Sequence, residues 1–430
     1  MDGDYILMND LDEDTDGYDE YNIEPEDYEV REYAGAGENW EDGNTIDISF
    51  DEEVYESISV EDDDGNLISH TVDHPRIIID EDTGESYLYV TYENAGVGWN
   101  PIGDFHGTFD GNGYEINDLF INRPGTSGVG FFGYTGSEAK VINVGIVDAE
   151  VNGSEHVGAL AGISGGNISE SYARGDVSGI VDVGVLLGVS NGNVSNSYAR
   201  GKVSGDIVVG GLVGGSGDGV IESSFAKVNV SGEDILGGLI GVNGWYSTVK
   251  NSYSLGDVSG GNWTGRYHIG PGCGGLVGFN WNGTIQNSYA AGNVSGYEDT
   301  GGLVGNHSRG INVYSSYWGT EISGQDTSDG GIGLYTDDMR GEVAETNMEG
   351  FDFEEIWETV KEGDEDLEED GYPILQELSR EEQLKAQDVY VEDDDDIPGF
   401  TSLTLVLGVI IAVAIYRKKK NIGDKRTIVK

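Results

Sequence analysis

One short phrase, G-G-L-V-G and its variants, recurs six times through the middle of the chain at a nearly constant spacing. Its closing glycines are Gly162, Gly188, Gly214, Gly241, Gly278 and Gly305. The intervals between them are 26, 26, 27, 37 and 27 residues. A repeat of fixed length indicates one supersecondary unit stacked on copies of itself, because a single unit cannot bury its apolar face alone. The sequence therefore predicts a repeat array with flanking segments.

A second phrase, S-Y-A-x-G-x-V-S-G, keeps the same period, and the apolar residues of both phrases come in short runs broken by Gly, Asn and Ser. Such runs favour short strands over helices. We predict an all-β fold, a right-handed parallel β-helix (β-solenoid) of about six or seven coils of roughly 26 residues, capped at both ends. A polar column precedes the second phrase and forms either an internal ladder or a surface row: Glu170, Asn196, Ser223, Asn251, Asn287 and Ser315.

The composition is strongly acidic, with 80 Asp and Glu against 22 Lys and Arg and a net charge of −58. This balance argues against nucleic acid as a partner, because phosphate contacts need clustered cations. An acidic surface on a foldable chain is typical of proteins from salt-loving archaea, where salt screens the self-repulsion. The single cysteine, Cys273, excludes an internal disulfide and falls in an apolar column of the repeat.

Changes in composition and residue pattern divide the chain into seven predicted parts. No basic and apolar leader opens the first part. Because the far end of the chain predicts a surface protein, we expect a secretion signal upstream. The parts are an N-terminal segment (1–33), a β-rich acidic insert (34–96), the solenoid (97–319), a C-terminal cap (320–387), an acidic spacer (388–397), a membrane segment with its basic stop (398–420) and a cytoplasmic tail (421–430).

The membrane segment is predicted from 19 residues without a charge, 398–416, followed directly by R-K-K-K. At 1.5 Å per residue a helix of this length spans about 29 Å, enough for one bilayer crossing. The basic cluster belongs on the cytoplasmic side, which places the bulk of the chain outside the cell as a single-pass protein.

Candidate binding residues are few. Asp12, Asp14 and Asp16 have the spacing of the first three ligands of a calcium-binding loop. Ile23 occupies the position of the bidentate Glu, so an acidic turn remains the alternative. Tryptophans that offer stacking platforms for a sugar are Trp245, Trp263 and Trp281. Eight N-x-S/T triplets are glycosylation candidates: Asn152, Asn167, Asn193, Asn229, Asn262, Asn282, Asn293 and Asn306.

No catalytic or cofactor site is predicted. A polysaccharide-cleaving β-helix needs carboxylates stacked on one face across adjacent turns, with a cation or histidine. The repeat-region acids show no common register in the sequence: Asp148, Glu155, Asp176, Asp206, Asp218, Glu222 and Asp257. A second cluster, His106 with Asp104 and Asp110, fits turn chemistry equally well.

Two local patterns resemble known families. The G-G-L-V-G cores with S-Y-A-x-G-x-V-S-G resemble the GLUG motif of secreted and surface repeat proteins, some of them adhesins. Pro398, Gly399 and Phe400, with the apolar segment and basic cluster, resemble the PGF-CTERM signal of archaeal surface proteins. That resemblance implies processing by an archaeosortase-like enzyme and a lipid anchor, although this chain carries ten residues, 421–430, beyond the basic cluster.

Together these features predict a noncatalytic, membrane-anchored extracellular repeat protein of an archaeal cell surface. Its expected roles are adhesion, envelope or S-layer association, or ligand display. The predicted partners are membrane lipid and envelope glycans or surface proteins. A glycan-binding module and a β-helix polysaccharide lyase or hydrolase are the alternatives, the latter because parallel β-helices often cleave acidic polysaccharides.

Overall fold

The computed structural model describes residues 98–387, apart from 245, 261–269, 309–311, 364–366 and 368, together with six strands nearer the N-terminus. Those strands are Asp4–Ile6, Glu26–Ala34, Val60–Glu61, Leu67–Ile68, Val72–Ile79 and Ser86–Asn94. The predicted membrane segment lies outside this part of the chain. Within it, no helix has the length and apolar character that a bilayer crossing requires.

The repeats wind into a four-sided parallel β-solenoid, in which each turn contributes one strand to each of four sheets. We name the sheets A to D. The all-β solenoid prediction is confirmed, and the strands of sheet D count seven turns. The predicted right-handed winding stays a prediction.

The short strands of sheet A carry the residues just before the second repeated phrase. Its strands are Asp4–Ile6, Thr108–Asp110, Lys140–Ile142, Asn167–Ser169, Val194–Ser195, Val220–Glu222, Thr248–Lys250, Thr284–Gln286 and Val313–Tyr314.

Sheet B, the widest wall, carries the second phrase itself. Its strands are Glu115–Asn117, Phe120–Asn122, Gly145–Asn152, Tyr172–Ser178, Tyr198–Gly205, Phe225–Gly232, Tyr253–Ser254, Val258–Gly260, Tyr289–Ala290, Val294–Ser295, Tyr317–Gly319 and Ile332–Leu334.

Sheets C and D flank the G-G-L-V-G corner. Sheet C contains Glu155–Val157, Val181–Gly184, Val208–Gly210, Ile235–Gly237, Gly272–Gly274 and Thr300–Gly301. Sheet D contains Phe132–Thr135, Ala161–Ser164, Leu187–Ser190, Val213–Ser216, Ile240–Asn243, Val277–Trp281 and Val304–Ser308.

The G-G-L-V-G glycines allow two strands to meet at a corner without room for a side chain. A Cβ on Gly237 would lie 1.9 Å from the Ile240 carbonyl oxygen of its own corner, and one on Gly238 would lie 2.1 Å from the Gly275 oxygen of the next turn. Real Cβ atoms do not come that close, so Gly237 and Gly238 are needed for steric reasons in this part of the array, whereas the first two copies carry Ala159 and Val185 at the position of Gly238. The leucine of each phrase fills the interior and is fully buried, as Leu239 and Leu276 are.

The sequence column of Glu170, Asn196 and their equivalents is neither an internal ladder nor a surface row, but the corner between sheets A and B. All six members have φ between 41° and 51°. This left-handed conformation favours Asn among residues with a side chain. The corner turns the chain, so the next residue points inward.

That next residue is a serine in six successive turns, and the serines form the internal ladder. The six are Ser171, Ser197, Ser224, Ser252, Ser288 and Ser316. The backbone N–H of each of the first five donates to the hydroxyl one turn later at 3.2–3.3 Å. Each hydroxyl donates in turn to the carbonyl two residues before it at 2.8 Å. The ladder satisfies buried polar groups at the corner.

Cys273 lies in the interior column of sheet C, in register with Leu236 before it and Thr300 after it. Its side chain is buried, and burial raises the pKa of its thiol to about 11. A buried, protonated thiol is chemically inert, so this cysteine is a packing residue.

The N-terminal strands add two separate features. Asp4–Ile6 pairs in parallel with Thr108–Asp110 and so lies at the start of sheet A. Glu26–Ala34, Val72–Ile79 and Ser86–Asn94 form a three-stranded antiparallel sheet. Its first strand falls in the segment predicted to be the N-terminal lead-in.

The C-terminal segment was predicted to cap the last turn, and only its first part does so. Ser328 Oγ accepts the backbone N–H of Val304 at the exposed end of sheet D, and Ile332–Leu334 pairs with Tyr317–Gly319 at the end of sheet B. Residues 335–387, which we call the strap, instead fold back along the outside of sheet B. The helices of 320–387 are Thr320–Ser323, Ala344–Asn347 and Arg380–Gln387, the 3₁₀ turns are Thr336–Asp338 and Gly341–Val343, and the strap's hairpin strands are Trp357–Val360 and Gly371–Leu375.

Candidate functional site

Sheet B is divided lengthwise into an aromatic half and a polar half by a bend in its long strands. Gly175 and Gly201 sit at the bend with φ of 150° and 126°. A Cβ on Gly201 would lie 2.0 Å from the Gly175 carbonyl oxygen. The bend lets each half of sheet B present its own outer face.

The aromatic half carries a stack of rings, one per turn. Tyr172, Tyr198, Phe225, Tyr253 and Tyr289 lie with successive ring centroids 4.7–5.0 Å apart and ring planes within 5° of parallel. The spacing equals the distance between neighbouring strands, so the stack follows directly from in-register pairing.

The strap covers this aromatic half. Tyr289 donates its hydroxyl to the Pro373 carbonyl at 2.8 Å, and Tyr253 donates to Gln383 Oε1 at 3.0 Å. Glu382 pairs with Arg174 at 2.8 Å and with Arg200 at 3.1 Å, at the border of the bend. The strap therefore ends its described course beside the polar half and leaves that half open.

Burial under the strap changes the acidity of the stack. Desolvation raises the pKa of Tyr253 and of Tyr289 well above the usual value for tyrosine. At Tyr198, nearer the open end, burial raises the pKa to about 12. The rings are thus held neutral and serve packing.

The polar half presents two parallel rows, because residues two apart on a strand share a face. The first row is Glu150, Asp176, Lys202, Asn229, Asp257 and Asn293. The second row is Asn122, Asn152, Ser178, Ser204, Ser231, Ser259 and Ser295. The valines between the rows point inward and are buried.

At the N-terminal end of these rows the surface forms an open groove of about 380 Å³, the polar groove. Pockets that hold small ligands are about 300–1,000 Å³, so the groove has room for a ligand of two or three rings. It crosses five adjacent strands along the solenoid axis, with Phe120 at one end. Its lining is Phe120, Ile121, Asn122, Glu150, Val151, Asn152, Asp176, Val177, Ser178, Lys202, Val203, Ser204 and Ser231.

Side-chain hydrogen bonds run along the floor of the groove. Asn152 Nδ2 donates to Asn122 Oδ1 at 3.0 Å, and Ser178 Oγ donates to Asn152 Oδ1 at 3.2 Å. In the first row Lys202 Nζ donates to Asp176 Oδ2 at 3.2 Å. The groove therefore offers amide, hydroxyl, carboxylate and ammonium groups one turn apart.

The charged pair in the groove is open to water. The side chains of Asp176 and Lys202 are 58% and 70% exposed. Catalytic carboxylates are shielded so that burial tunes their acidity, whereas an exposed pair is weak and easily exchanged for ligand contacts. The exposure favours reversible binding over bond cleavage.

The register of the acids differs from the sequence expectation. Asp176 and Asp257 were placed among acids with no common register, but they belong to one row of sheet B. Glu150, which the sequence reasoning did not single out, is the in-register neighbour of Asp176. The extra residue between Ile146 and Ala149 hides the register of Glu150, whereas Asp176 and Asp257 both precede V-S-G in the second phrase and share a register there.

In the cluster of His106, Asp104 and Asp110, the structure shows a turn at Asp110. Asp110 Oδ1 accepts the backbone N–H of Asn112 at 2.8 Å, and Asp104 adopts a left-handed φ of 44°. Among the described residues, no group of three or more His, Cys, Asp or Glu side chains is placed to hold a metal ion. The calcium candidates Asp12, Asp14 and Asp16 lie outside those residues.

The sequon asparagines are spread over several walls and differ in exposure and in side-chain hydrogen bonding. Asn167, Asn193, Asn229 and Asn293 are exposed. Asn282 is half-buried, and Asn152 and Asn306 are half-buried with hydrogen-bonded side-chain amides. Asn262 lies outside the described residues.

Of the three predicted stacking tryptophans, the structure describes Trp281. Trp281 ends a strand of sheet D, with 37% of its surface exposed, on a different wall from the polar half. Trp245 and Trp263 fall outside the described residues, as do Pro398, Gly399 and Phe400. The serines of the groove recur at one position of the second phrase, but the strand register is needed to show that Asn152 joins their row and that Glu150 lies in the row beside it.

The repeat matches a known motif. The model of the GLUG motif matches residues 272–295. These residues run through one strand of sheet C, one of D, one of A and both halves of B, so the match corresponds to one complete turn.

Two curated relatives share part of the chain. Halomucin of Haloquadratum walsbyi is 40% identical over 82 residues, which is 19% of this chain and 1% of halomucin. A Gly-rich membrane protein, so named provisionally, of Evansella cellulosilytica is 39% identical over 77 residues, 17% of this chain and 9% of that protein. The chain thus spans only a small part of either relative.

Proposed function

We propose that this chain is a noncatalytic repeat protein of an archaeal cell surface, anchored by its C-terminal segment and holding the solenoid outside the cell for adhesion, envelope association or ligand display. The observation that carries the proposal is the solenoid itself, about seven turns held by glycine corners, serines and stacked rings. Such a framework supplies a rigid rod with long flat faces.

Three further observations support this function. The chain has 80 Asp and Glu against 22 Lys and Arg, an acidic excess that suits a surface working in high salt. The repeat is similar to part of halomucin, a protein of a salt-loving archaeon, and to part of a protein named for the membrane. The uncharged run 398–416 before R-K-K-K has the length and flanking charge of a single membrane span.

The open polar groove supports a noncatalytic role, because the side chains of Asp176 and Lys202 are both more than half exposed there. The enzyme alternative requires the row of Glu150, Asp176 and Lys202 to act on a bound polymer. Incubating the purified protein with neutral and acidic polysaccharides would test it, and release of new reducing or unsaturated ends would contradict the proposal.

Membrane attachment is tested by comparing three chains in membrane pelleting. The full chain and a chain that ends at 420 are expected to sediment with membranes and to need detergent for release. A chain that ends at 397 is expected in the soluble fraction. If the chain ending at 397 sediments as tightly as the full chain, the anchor is wrongly assigned.

A further inference from the structure

We propose that the polar groove of sheet B is a binding site for an extended neutral glycan, a chain of uncharged sugars lying along the solenoid axis. The inference goes beyond the proposed function, because it names a site and a ligand class and does not depend on the membrane anchor.

The first argument is the repeat of the hydrogen-bonding groups. Each turn adds one group to each row, and successive turns are ~4.8 Å apart. Asn152, Ser178, Ser204 and Ser231 thus offer donors and acceptors at regular intervals along the second row. A polymer with several hydroxyls on every unit can bond to many such groups at once, whereas a compact ligand uses only one or two.

The second argument is charge. The groove contains the carboxylates of Glu150 and Asp176 and the single ammonium of Lys202, on a chain whose net charge is −58. An acidic polymer is repelled by this surface, since Lys202 is already paired with Asp176. Carboxylates accept hydrogen bonds from neighbouring hydroxyls of a neutral sugar without this repulsion.

The third argument separates a glycan from a peptide. An extended peptide binds most simply at the edge of a sheet, where N–H and C=O groups are unpaired. The groove lies on the face of sheet B, and its strands pair on both sides over 150–152, 176–178 and 202–204. The backbone has no hydrogen bonds to give there, so recognition falls to side chains.

Phe120 completes the site at its N-terminal end. Its ring is half-buried and lines the groove in the first row, in register with Glu150. An aromatic ring at the end of a polar trough can pack against the apolar face of a sugar ring. The site therefore has a stacking position at one end and hydrogen-bonding rows beyond it.

The test is calorimetric titration of the full chain in a detergent that contains no sugar. The neutral probes are cellohexaose, maltohexaose, laminarihexaose and mannohexaose, and the acidic probe is a galacturonic acid hexamer. We expect at least one neutral probe to bind at least tenfold more tightly than the acidic one. Failure of all four neutral probes, or tighter binding of the acidic hexamer, would overturn the proposal.

Variants locate the binding site. Ser204→Leu and Asp176→Ala are both exposed changes in the groove and are expected to weaken binding of the neutral probe at least tenfold. Asn193→Ala, an exposed change just before the sheet A strand Val194–Ser195, is the control and keeps the affinity. Binding that persists in Ser204→Leu and Asp176→Ala but is lost in Trp281→Ala would place the site on sheet D and refute the groove. Membrane pelleting is unaffected by these changes, so this proposal and the anchor fail independently.

Discussion

At the scale of the residue, each letter of the phrase N-S-Y-A performs a different task. Asn196 turns the chain at the corner with φ of 48°, Ser197 extends the buried hydroxyl ladder, Tyr198 joins the outer stack and Ala199 packs inside. The order cannot be permuted, because a shift by one residue moves every side chain to the opposite face. This explains why the phrase repeats while its surroundings vary.

Breaking the hydroxyl ladder is expected to destabilise the solenoid. In Ser224→Ala the N–H of Ser197 loses its acceptor in a buried corner, which costs about 1–3 kcal/mol in the free energy of unfolding. Urea unfolding measures the change. Ser259→Ala, an exposed serine of sheet B, is expected to change stability by less than ~0.5 kcal/mol. Equal effects of the two substitutions would show that the ladder adds nothing.

At the scale of the element, the strap is the feature that organises the surface. It buries the aromatic half of sheet B and leaves the polar half open, so a single wall holds both a packed core and a groove. Gln383 is the fully buried centre of this contact, accepting from Tyr253 Oη and from the Leu375 N–H at 2.7 Å. Its Nε2 donates to the Leu375 carbonyl at 2.9 Å.

Replacing this glutamine is expected to loosen the strap before the solenoid. Gln383→Leu leaves the Tyr253 hydroxyl and the Leu375 N–H without partners in a buried site, each costing about 1–3 kcal/mol. Limited proteolysis and amide hydrogen exchange should show faster cleavage and exchange in 335–387. Glu377→Leu, an exposed change near the same helix, is the control. Unchanged strap protection in Gln383→Leu would argue against this clamp.

The strap is also expected to weaken in alkali. Burial raises the pKa of Tyr253 and Tyr289 in the folded protein, so the folded state holds these protons after the unfolded chain, with tyrosine pKa near 10, has lost them. Stability is therefore full below about pH 10 and falls above it, by up to ~1.4 kcal/mol per pH unit for each tyrosine.

The measurement is the urea midpoint as a function of pH. Tyr289→Phe is expected to reduce the alkaline loss, although it also removes the bond to the Pro373 carbonyl. Tyr246→Phe, at a 76% exposed ring, should leave the pH dependence as it is. An alkaline loss that is the same in both variants would rule out the buried stack as its cause.

The sequence predicted the period, the solenoid and the interior column around Cys273, because these depend on neighbours within one turn or at a fixed spacing. It did not predict the strap, since 335–387 lies outside the repeat and its contacts with Arg174 and Tyr253 join residues far apart in the chain. The groove was missed for a related reason. Its serines recur in the second phrase, but Glu150 and Asn152 join the rows only through the register shift between Ile146 and Ala149.

At the scale of the whole molecule, charge is the dominant feature. A net charge of −58 on one chain produces strong self-repulsion at low ionic strength. The Debye length falls from about 10 Å at 0.1 M salt to about 3 Å at 1 M, so added salt relieves this repulsion. The solenoid is thus expected to reach its working stability only in concentrated salt.

The salt dependence gives a direct prediction. The urea midpoint of the full chain in detergent should rise between about 0.1 and 1 M sodium chloride, and potassium chloride should act alike because screening depends on ionic strength. A midpoint that is constant, or that falls with salt, would contradict an electrostatic origin for the acidic surface.

In the proposed function the solenoid stands outside the cell on a C-terminal membrane anchor. The native thiol, Cys273, is buried with a raised pKa, so labelling of an added cysteine stands out against it. A membrane-impermeant maleimide applied to intact native cells should label Ser259→Cys on sheet B, and should label Thr427→Cys in the tail only after permeabilisation. Labelling of Thr427→Cys but not Ser259→Cys on intact cells, or of neither before permeabilisation, would contradict the claim.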